Sequence, residues 1–342
     1  MSKTATENYQ TLKTRCKQLT ELVPTEEPAY NIKLFTRPNI TQIIFQSIGC
    51  QWQKTGSCLM CNYGKSSTNI TPNQVVTGFR IARESGLFEN RKILILNTFG
   101  SILDPREMPA DSFATICEQA KQTPVPLIIF ETRPETITQN KIHLIKSHLG
   151  PDKRIGFELG IEVFDETLRK NLLIKDLKQS TIISKIHLLH DANCHIIANI
   201  LVGLPFIDSI EQRIATTVQT TINLDQHLKQ TDQIFLFPIN PKPHTYLHEL
   251  YQTNRYQLTS HREIVAVMEG LSTIPNLLDK LYLTYYGRRN AYHSPSACEK
   301  CQQEQFYPNF YEKFMSIPSN RQQFFQDFIS QLNTRNCPCS HL

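Results

Sequence analysis

The sequence predicts an α/β protein, a partial (β/α)6 barrel followed by a small C-terminal helical domain with a cysteine metal site. Three observations lead there. Between residues 43 and 239, six short β-rich apolar runs alternate with longer segments of helical apolar spacing, the pattern of βαβ units and a parallel sheet. After Tyr251 the alternation stops, and helical patterns with Tyr-rich loops follow. Seven of the ten cysteines fall into two clusters.

In chain order, residues 1–30 read as a helical lead-in ending at Pro28, residues 31–250 as the barrel and 251–342 as the C-terminal domain. The predicted strands are Ile43 to Ser47, Ile93 to Asn97, Pro126 to Glu131, Arg154 to Glu162, His195 to Leu204 and Gln233 to Ile239. Between them, apolar residues recur at the 3.6-residue period in Asn73 to Arg83, Ala110 to Ala120, Glu135 to Ser147, Ser180 to Asp191 and Ile210 to Leu228. Six units favour an incomplete barrel over an eightfold one. Beyond Tyr251, helices are expected over His261 to Leu271 and Asn320 to Leu332.

Composition excludes several classes. In 342 residues, 40% are hydrophobic and 20% charged, which fits a globular chain and not a disordered or fibrous one. The net charge of +5 permits nucleic-acid contact without demanding it. No apolar run approaches the ~18 residues of a membrane span, and no secretory h-region is evident. A cytoplasmic protein is therefore expected, in which ten cysteines serve metal binding or catalysis better than disulfides.

Cys50, Cys58 and Cys61 follow the first predicted strand in IGCQWQKTGSCLMCNYG, where Gly49, Gly56 and Gly64 allow close backbone bends. Three thiolates leave a metal position open: a cluster with one exposed iron, or a zinc loop whose fourth ligand comes from elsewhere. In barrels, chemistry concentrates where this loop begins, at the C-terminal strand ends. The second strand runs into Asn97, Thr98, Gly100 and Ser101, with Asp104 and Pro105 expected to open the next helix. Alternation places Glu131 with Arg133 on one face, and Glu158, Gly160 and Glu162 on one face of the following strand. Outer helices would cover the apolar faces, so these carboxylates should point inward, as catalytic groups or as a Glu131–Arg133 pair. Gly203 and Pro205 end the fifth strand, for a ligand's close approach or a simple turn.

Cys50-x7-Cys58-x2-Cys61 at the first strand end resembles the radical S-adenosylmethionine (SAM) superfamily, with a longer first gap than the usual Cys-x3-Cys-x2-Cys. The segments CLMCNYG, GSILDPREMP, ETRPE, ELGIE, LVGLP and SACEKC resemble the radical-SAM subunit of archaeosine synthase and its bacterial relatives, in the elongator catalytic-subunit-like branch. FPINPKPHTY and GRRNAYH depart from that pattern. The resemblance implies a [4Fe–4S] cluster on the three cysteines whose open iron chelates SAM, and reductive cleavage to a 5′-deoxyadenosyl radical. It places Met60 and the Gly203 strand end against the adenine, and Asn97, Gly100 and Ser101 at the SAM amino group. It further implies an electron donor such as a flavodoxin, ferredoxin or reductase, and admits a partner subunit.

Cys298-x2-Cys301 and Cys337-x-Cys339, 35 residues apart, make a closed four-thiolate set for Zn²⁺ or an auxiliary Fe–S cluster, with His293 and His341 as substitutes. Cys16, Cys117 and Cys194 read as buried small residues. Arg288, Arg289 and Lys300 are interleaved with Tyr285, Tyr286, Tyr292, Phe306 and Tyr307, and Lys153, Arg154, Lys242 and His244 could extend that surface. Cations among aromatics can hold a phosphate backbone and stack an unpaired base; a packed aromatic domain with solvated charges is the alternative. The expected substrate is a tRNA base or its attached side chain. The alternatives are a small metabolite or peptide, or a non-catalytic zinc-dependent RNA-binding scaffold.

Overall fold

The computed structural model describes residues 9–22, 32–37, 39–63, 68–283, 295–317 and 319–340. One eight-stranded sheet runs in chain order: β1 (Ile32–Arg37), β2 (Ile40–Phe45), β3 (Ile93–Thr98), β4 (Leu127–Thr132), β5 (Arg154–Glu162), β6 (His195–Val202), β7 (Gln233–Pro238) and β8 (Leu281–Leu283). β1 pairs antiparallel with β2, and every later pair is parallel. The six expected strands are β2 to β7. The two additional strands extend the edges. β1 and β2 meet as a hairpin with Arg37 opposite Ile40, and Asn39 takes a left-handed φ of 63° in the connection, a conformation Asn tolerates. The three residues of β8 are too few to show a period.

Helix α1 (Tyr9–Leu22) precedes the sheet, and a single turn, α2 (Gln51–Lys54), follows β2. The connections carry α3 (Pro72–Glu84), α4 (Ala110–Lys121), α5 (Gln139–Leu149), α6 (Glu166–Leu173), α7 (Gln179–Asp191) and α8 (Ile210–Asp225). α3 starts at a reciprocal Thr71–Gln74 capping box followed by Pro72. α5 begins at Gln139, because Thr138 caps it and Pro134 to Thr136 form a separate 3-10 turn. The helix after β3 likewise starts at Ala110, not at Asp104.

The parallel strands are buried on both faces, which is why β4 reads as the apolar run LIIF. Ile128, Phe130, Phe157, Ile196 and Ile234 pack outward with Phe79, Ile116, Ile142 and Ile186 of the helical layer. Ile95, Ile129, Ile197 and Phe235 fill the interior near the strands' N-terminal half.

After β7 come α9 (Tyr246–Gln252), α10 (His261–Leu271), α11 (Leu277–Lys280), α12 (Glu299–Gln303), α13 (Phe306–Ser316) and α14 (Arg321–Asn333). This region, expected as a separate domain, supplies β8 to the sheet, and Val265, Phe314 and Phe325 share the helical-layer core. Its apolar faces are buried against the barrel as well as each other. None of the described helices is long and apolar enough to cross a membrane.

Candidate active site and metal centre

All parallel strands point the same way, so their C-terminal ends form one mouth. Cys50, Cys58 and Cys61 sit there on the loop after β2, closed by Cys50 N–H donating to the Tyr63 carbonyl at 2.9 Å. Helix α1 holds the loop from outside: Gln53 Nε2 donates to Thr20 Oγ1 at 2.6 Å, and Thr20 Oγ1 donates to the Gln53 carbonyl at 3.2 Å. Leu12, Cys16 and Leu19 of α1 pack with Leu59, and Met60 borders the same cluster.

Glu107 is the hub beneath the loop. It is fully buried, accepts from Gln51 N–H and Arg133 Nη1 at 2.7 Å each, and accepts from Ser101 N–H. A Cβ at Gly100 would lie 2.1 Å from Glu107 Oε2 and 3.3 Å from Cys50 Cα, so only glycine fits between them. Ser101 Oγ is buried against the Thr132 and Thr136 hydroxyls, which directs it into the fold and away from the mouth. Asp104, expected at a helix start, accepts from Arg133 Nη2 at 2.6 Å.

Arg133 differs from expectation in its partners. It pairs with Asp104, Glu107 and Glu135 and not with Glu131, because β4 ends at Thr132 and the strand alternation ends with it. Its Nη1 also lies 3.5 Å from Cys50 Sγ. Burial pushes the Cys50 thiol up, and the Arg133 charge opposes that. A hydrogen bond from Cys61 is the largest influence pulling Cys58 down to about 6, with Lys175 assisting against burial.

Below the loop, a polar layer crosses the interior. Gln42 donates to Asn97 Oδ1 at 3.1 Å, Asn97 donates to Glu131, and Asn199 donates to Glu158 Oε1 at 3.0 Å. Glu131 and Glu158 are register partners on β4 and β5. Burial first, and Glu158 second, hold the Glu131 carboxyl well above its usual range. Glu162 follows a register shift after Gly160 and has a φ of 62°, with Val163 N–H closing a three-residue turn onto the Ile161 carbonyl at 2.8 Å. Such a φ is strained for a non-glycine residue. It brings Glu162 Oε1 to 2.5 Å from Lys175 Nζ. Among the described residues, the remaining Glu162 oxygen and Asn199 Oδ1 are buried without a hydrogen-bond partner.

The strand end at Gly203 is occupied by the chain itself. Tyr256 donates to the Gly203 carbonyl at 2.8 Å, and a Cβ at Gly203 would lie 1.8 Å from Thr259 Oγ1. The close approach expected of a ligand is made by the segment before α10. Asn97, Glu131, Glu158, Glu162 and the three cysteines share the mouth and interior, whereas Gly100, Ser101 and Arg133 brace the loop. Glu107 and Lys175 were not foreseen, since a lone charge carries no periodic signal, and Lys242, expected on a basic surface, stands instead over the Tyr63 ring.

The second cysteine site joins α12 to the chain end. Cys298, Cys301 and Cys337 present sulfurs within 4.8 Å of one another, with Cys301 and Cys337 at 3.7 Å. Cys298 N–H donates to Cys339 Sγ at 3.1 Å. A tetrahedral zinc with Zn–S of about 2.3 Å spaces its sulfurs by roughly 3.8 Å. Burial raises the Cys298 thiol, but donors from Cys301, Cys339 and Cys337 outweigh it and bring it down to about 7. His293 and His341 lie outside the described residues, as do Gly64, Tyr285, Tyr286, Arg288, Arg289 and Tyr292.

The expected basic, aromatic surface does not form from the residues described. Tyr307 is fully buried, stacked on His261 at 4.8 Å, and Phe306 stacks on Phe328. Lys153 and Arg154 stand at the start of β5 while Lys242 and His244 follow the end of β7, and so lie at opposite ends of the barrel. Lys300 is exposed on α12, and Cys16, Cys117 and Cys194 are buried as expected.

No known protein-family profile matches the chain. An uncharacterised protein of Methanocaldococcus jannaschii is 32% identical over 49% of this chain and 48% of its own length. Archaeosine synthase subunit beta of Methanosarcina acetivorans is 29% identical over 44% of this chain and 46% of its own. The chain thus spans about half the length of the curated relatives it matches. Among solved structures, methylornithine synthase superposes with a TM-score of 0.52 at 12% identity, over 96% of this chain and 93% of that one. N-terminally truncated Elp3 of Methanocaldococcus infernus gives 0.51 at 13% identity, over 88% and 65%. The chain shares its fold with methylornithine synthase and Elp3, and part of its sequence is similar to archaeosine synthase subunit beta.

Proposed function

We propose that this chain is a radical SAM enzyme acting on a modified tRNA base or its attached side chain. The observation that carries the reading is the three-cysteine loop set directly above an acceptor-lined barrel interior. Cys50, Cys58 and Cys61 would hold a [4Fe–4S] cluster, which when bound supplies the electron for reductive cleavage of SAM. The residues present fit such a guest. The buried Glu162 and Asn199 oxygens without partners suit a ligand rich in N–H and O–H donors and bearing positive charge, as SAM is. Glu131, whose carboxyl burial and then Glu158 push well above its usual range, faces the interior beside Asn97. Ile95, Ile129 and Phe235 below exclude water from the barrel floor. The archaeosine synthase relative favours the tRNA substrate. At the second site the sulfur spacing and the closed set of four thiols favour Zn²⁺.

The test is 5′-deoxyadenosine formation by anaerobically reconstituted protein with SAM and dithionite, beside Cys58→Ala. Formation by the parent alone supports the reading; zinc in both sites with no cleavage defeats it in favour of a scaffold. Retention of tRNA at moderate salt supports the RNA substrate, and its absence points to a small metabolite.

A further inference from the structure

Three cations face the cysteines of the mouth loop, and each cation is fixed by different neighbours. Arg133 lies 3.5 Å from Cys50 Sγ, but Asp104, Glu107 and Glu135 surround it with negative charge. Lys175 acts on Cys58; it is buried, clamped 2.5 Å from Glu162, and lies 5.7 Å from the centre of the Trp52 ring. Lys242 acts on Cys61 and sits 3.7 Å over the Tyr63 ring. Among the described residues, Lys242 makes no ion pair with a carboxylate, though its charge also reaches the Glu131 carboxyl. These cations arrive from three different connections, Arg133 after β4, Lys175 after α6 and Lys242 after β7.

We propose that Lys242 and Lys175 are positioning residues that raise the reduction potential of the cluster held by Cys50, Cys58 and Cys61. The proposal rests on the radical SAM reading of the loop. Reduction adds one electron to the cluster, and a fixed cation beside the loop stabilises the reduced state more than the oxidised one. Lys242 acts most strongly because, among the described residues, no carboxylate is in contact with it. Lys175 acts less strongly, since Glu162 cancels part of its field. Arg133, outnumbered by carboxylates, anchors the loop.

The test is an EPR-monitored redox titration of the reconstituted protein, with iron and sulfide measured for every variant. Lys242→Met should weaken reduction by roughly ten- to a hundredfold, about 60–120 mV more negative at 59 mV per decade. Lys175→Met should shift the same way by less, Lys242→Arg should keep the parent potential, and Glu162→Gln should shift it upward. Should Lys242→Met fail to load iron, the opposite shifts of Lys175→Met and Glu162→Gln decide. Fully loaded variants with unmoved potentials overturn this inference alone. A parent protein that takes up no iron overturns the radical SAM reading and this inference with it.

Discussion

At the barrel mouth, three cysteines come from a single 12-residue stretch and are spread around a loop braced by buried charge. At the chain end, four cysteines come from segments 35 residues apart, and two of their sulfurs stand 3.7 Å apart. The first site is held in place by its surroundings: Glu107, Arg133, Thr20 and Gln53 fix the loop through hydrogen bonds that need no metal. The second joins its surroundings, because its sulfurs, beside the Arg335–Glu304 ion pair, link residues 337–340 to α12. The same side chain therefore serves a prebuilt receptacle in one region and a staple in the other.

The largest expected effect separates the two roles. A structural zinc–thiolate site contributes on the order of 10 kcal/mol to folding. Cys301→Ser should release the metal and lower Tm by roughly 10 °C or more, whereas Cys58→Ser should move Tm by only a few degrees. Calorimetry on both variants checks this, and equal losses would break the distinction.

Next comes His261, which lies under the chain-end site. Burial lowers its imidazole to about 3, and Tyr311 OH meets Nδ1 at 3.0 Å. A depressed folded-state value makes its contribution complete above the unfolded value of 6.5 and lost as pH falls toward 3. At about 1.4 kcal/mol per pH unit, several kcal/mol are at stake. Urea unfolding across that window should show a shallower pH dependence for His261→Gln than for the parent.

For the mouth, Glu107→Ala removes a buried partner of Arg133 and the acceptor for two backbone N–H groups. A loss of about 3–5 kcal/mol is expected, read by urea unfolding of the metal-free protein. An unchanged midpoint would mean that the loop is not prebuilt. Gly100→Ala is smaller, about 1–3 kcal/mol from overpacking, and should lower iron uptake after reconstitution while leaving zinc content unchanged.

Much of this molecule is written locally in its sequence. The alternation of β-rich and helical periods locates β2 to β7 and helices α3, α4, α7, α8, α10 and α14, because side-chain period follows directly from backbone geometry. Cysteine spacing marks both sites, since metal ligands must be close and close ligands often share a short stretch. The short strands β1 and β8 escape that reading, having too few residues to display a period.

What only the tertiary structure decided is partnership. Arg133 next to Glu131 in sequence suggested a pair, yet the end of β4 turns Arg133 toward Asp104 and Glu107. Tyr307 and Phe306 suggested a stacking surface, yet the folding of α10, α13 and α14 onto one another buries the former and packs the latter on Phe328. Lys175 and Lys242 carry no motif, and gain their meaning because the segments after α6 and β7 converge on one loop. Periodicity and ligand spacing are properties of neighbouring residues, legible one segment at a time. Ion pairing and burial depend on which distant segments meet, and that is fixed only when the sheet has closed around its interior.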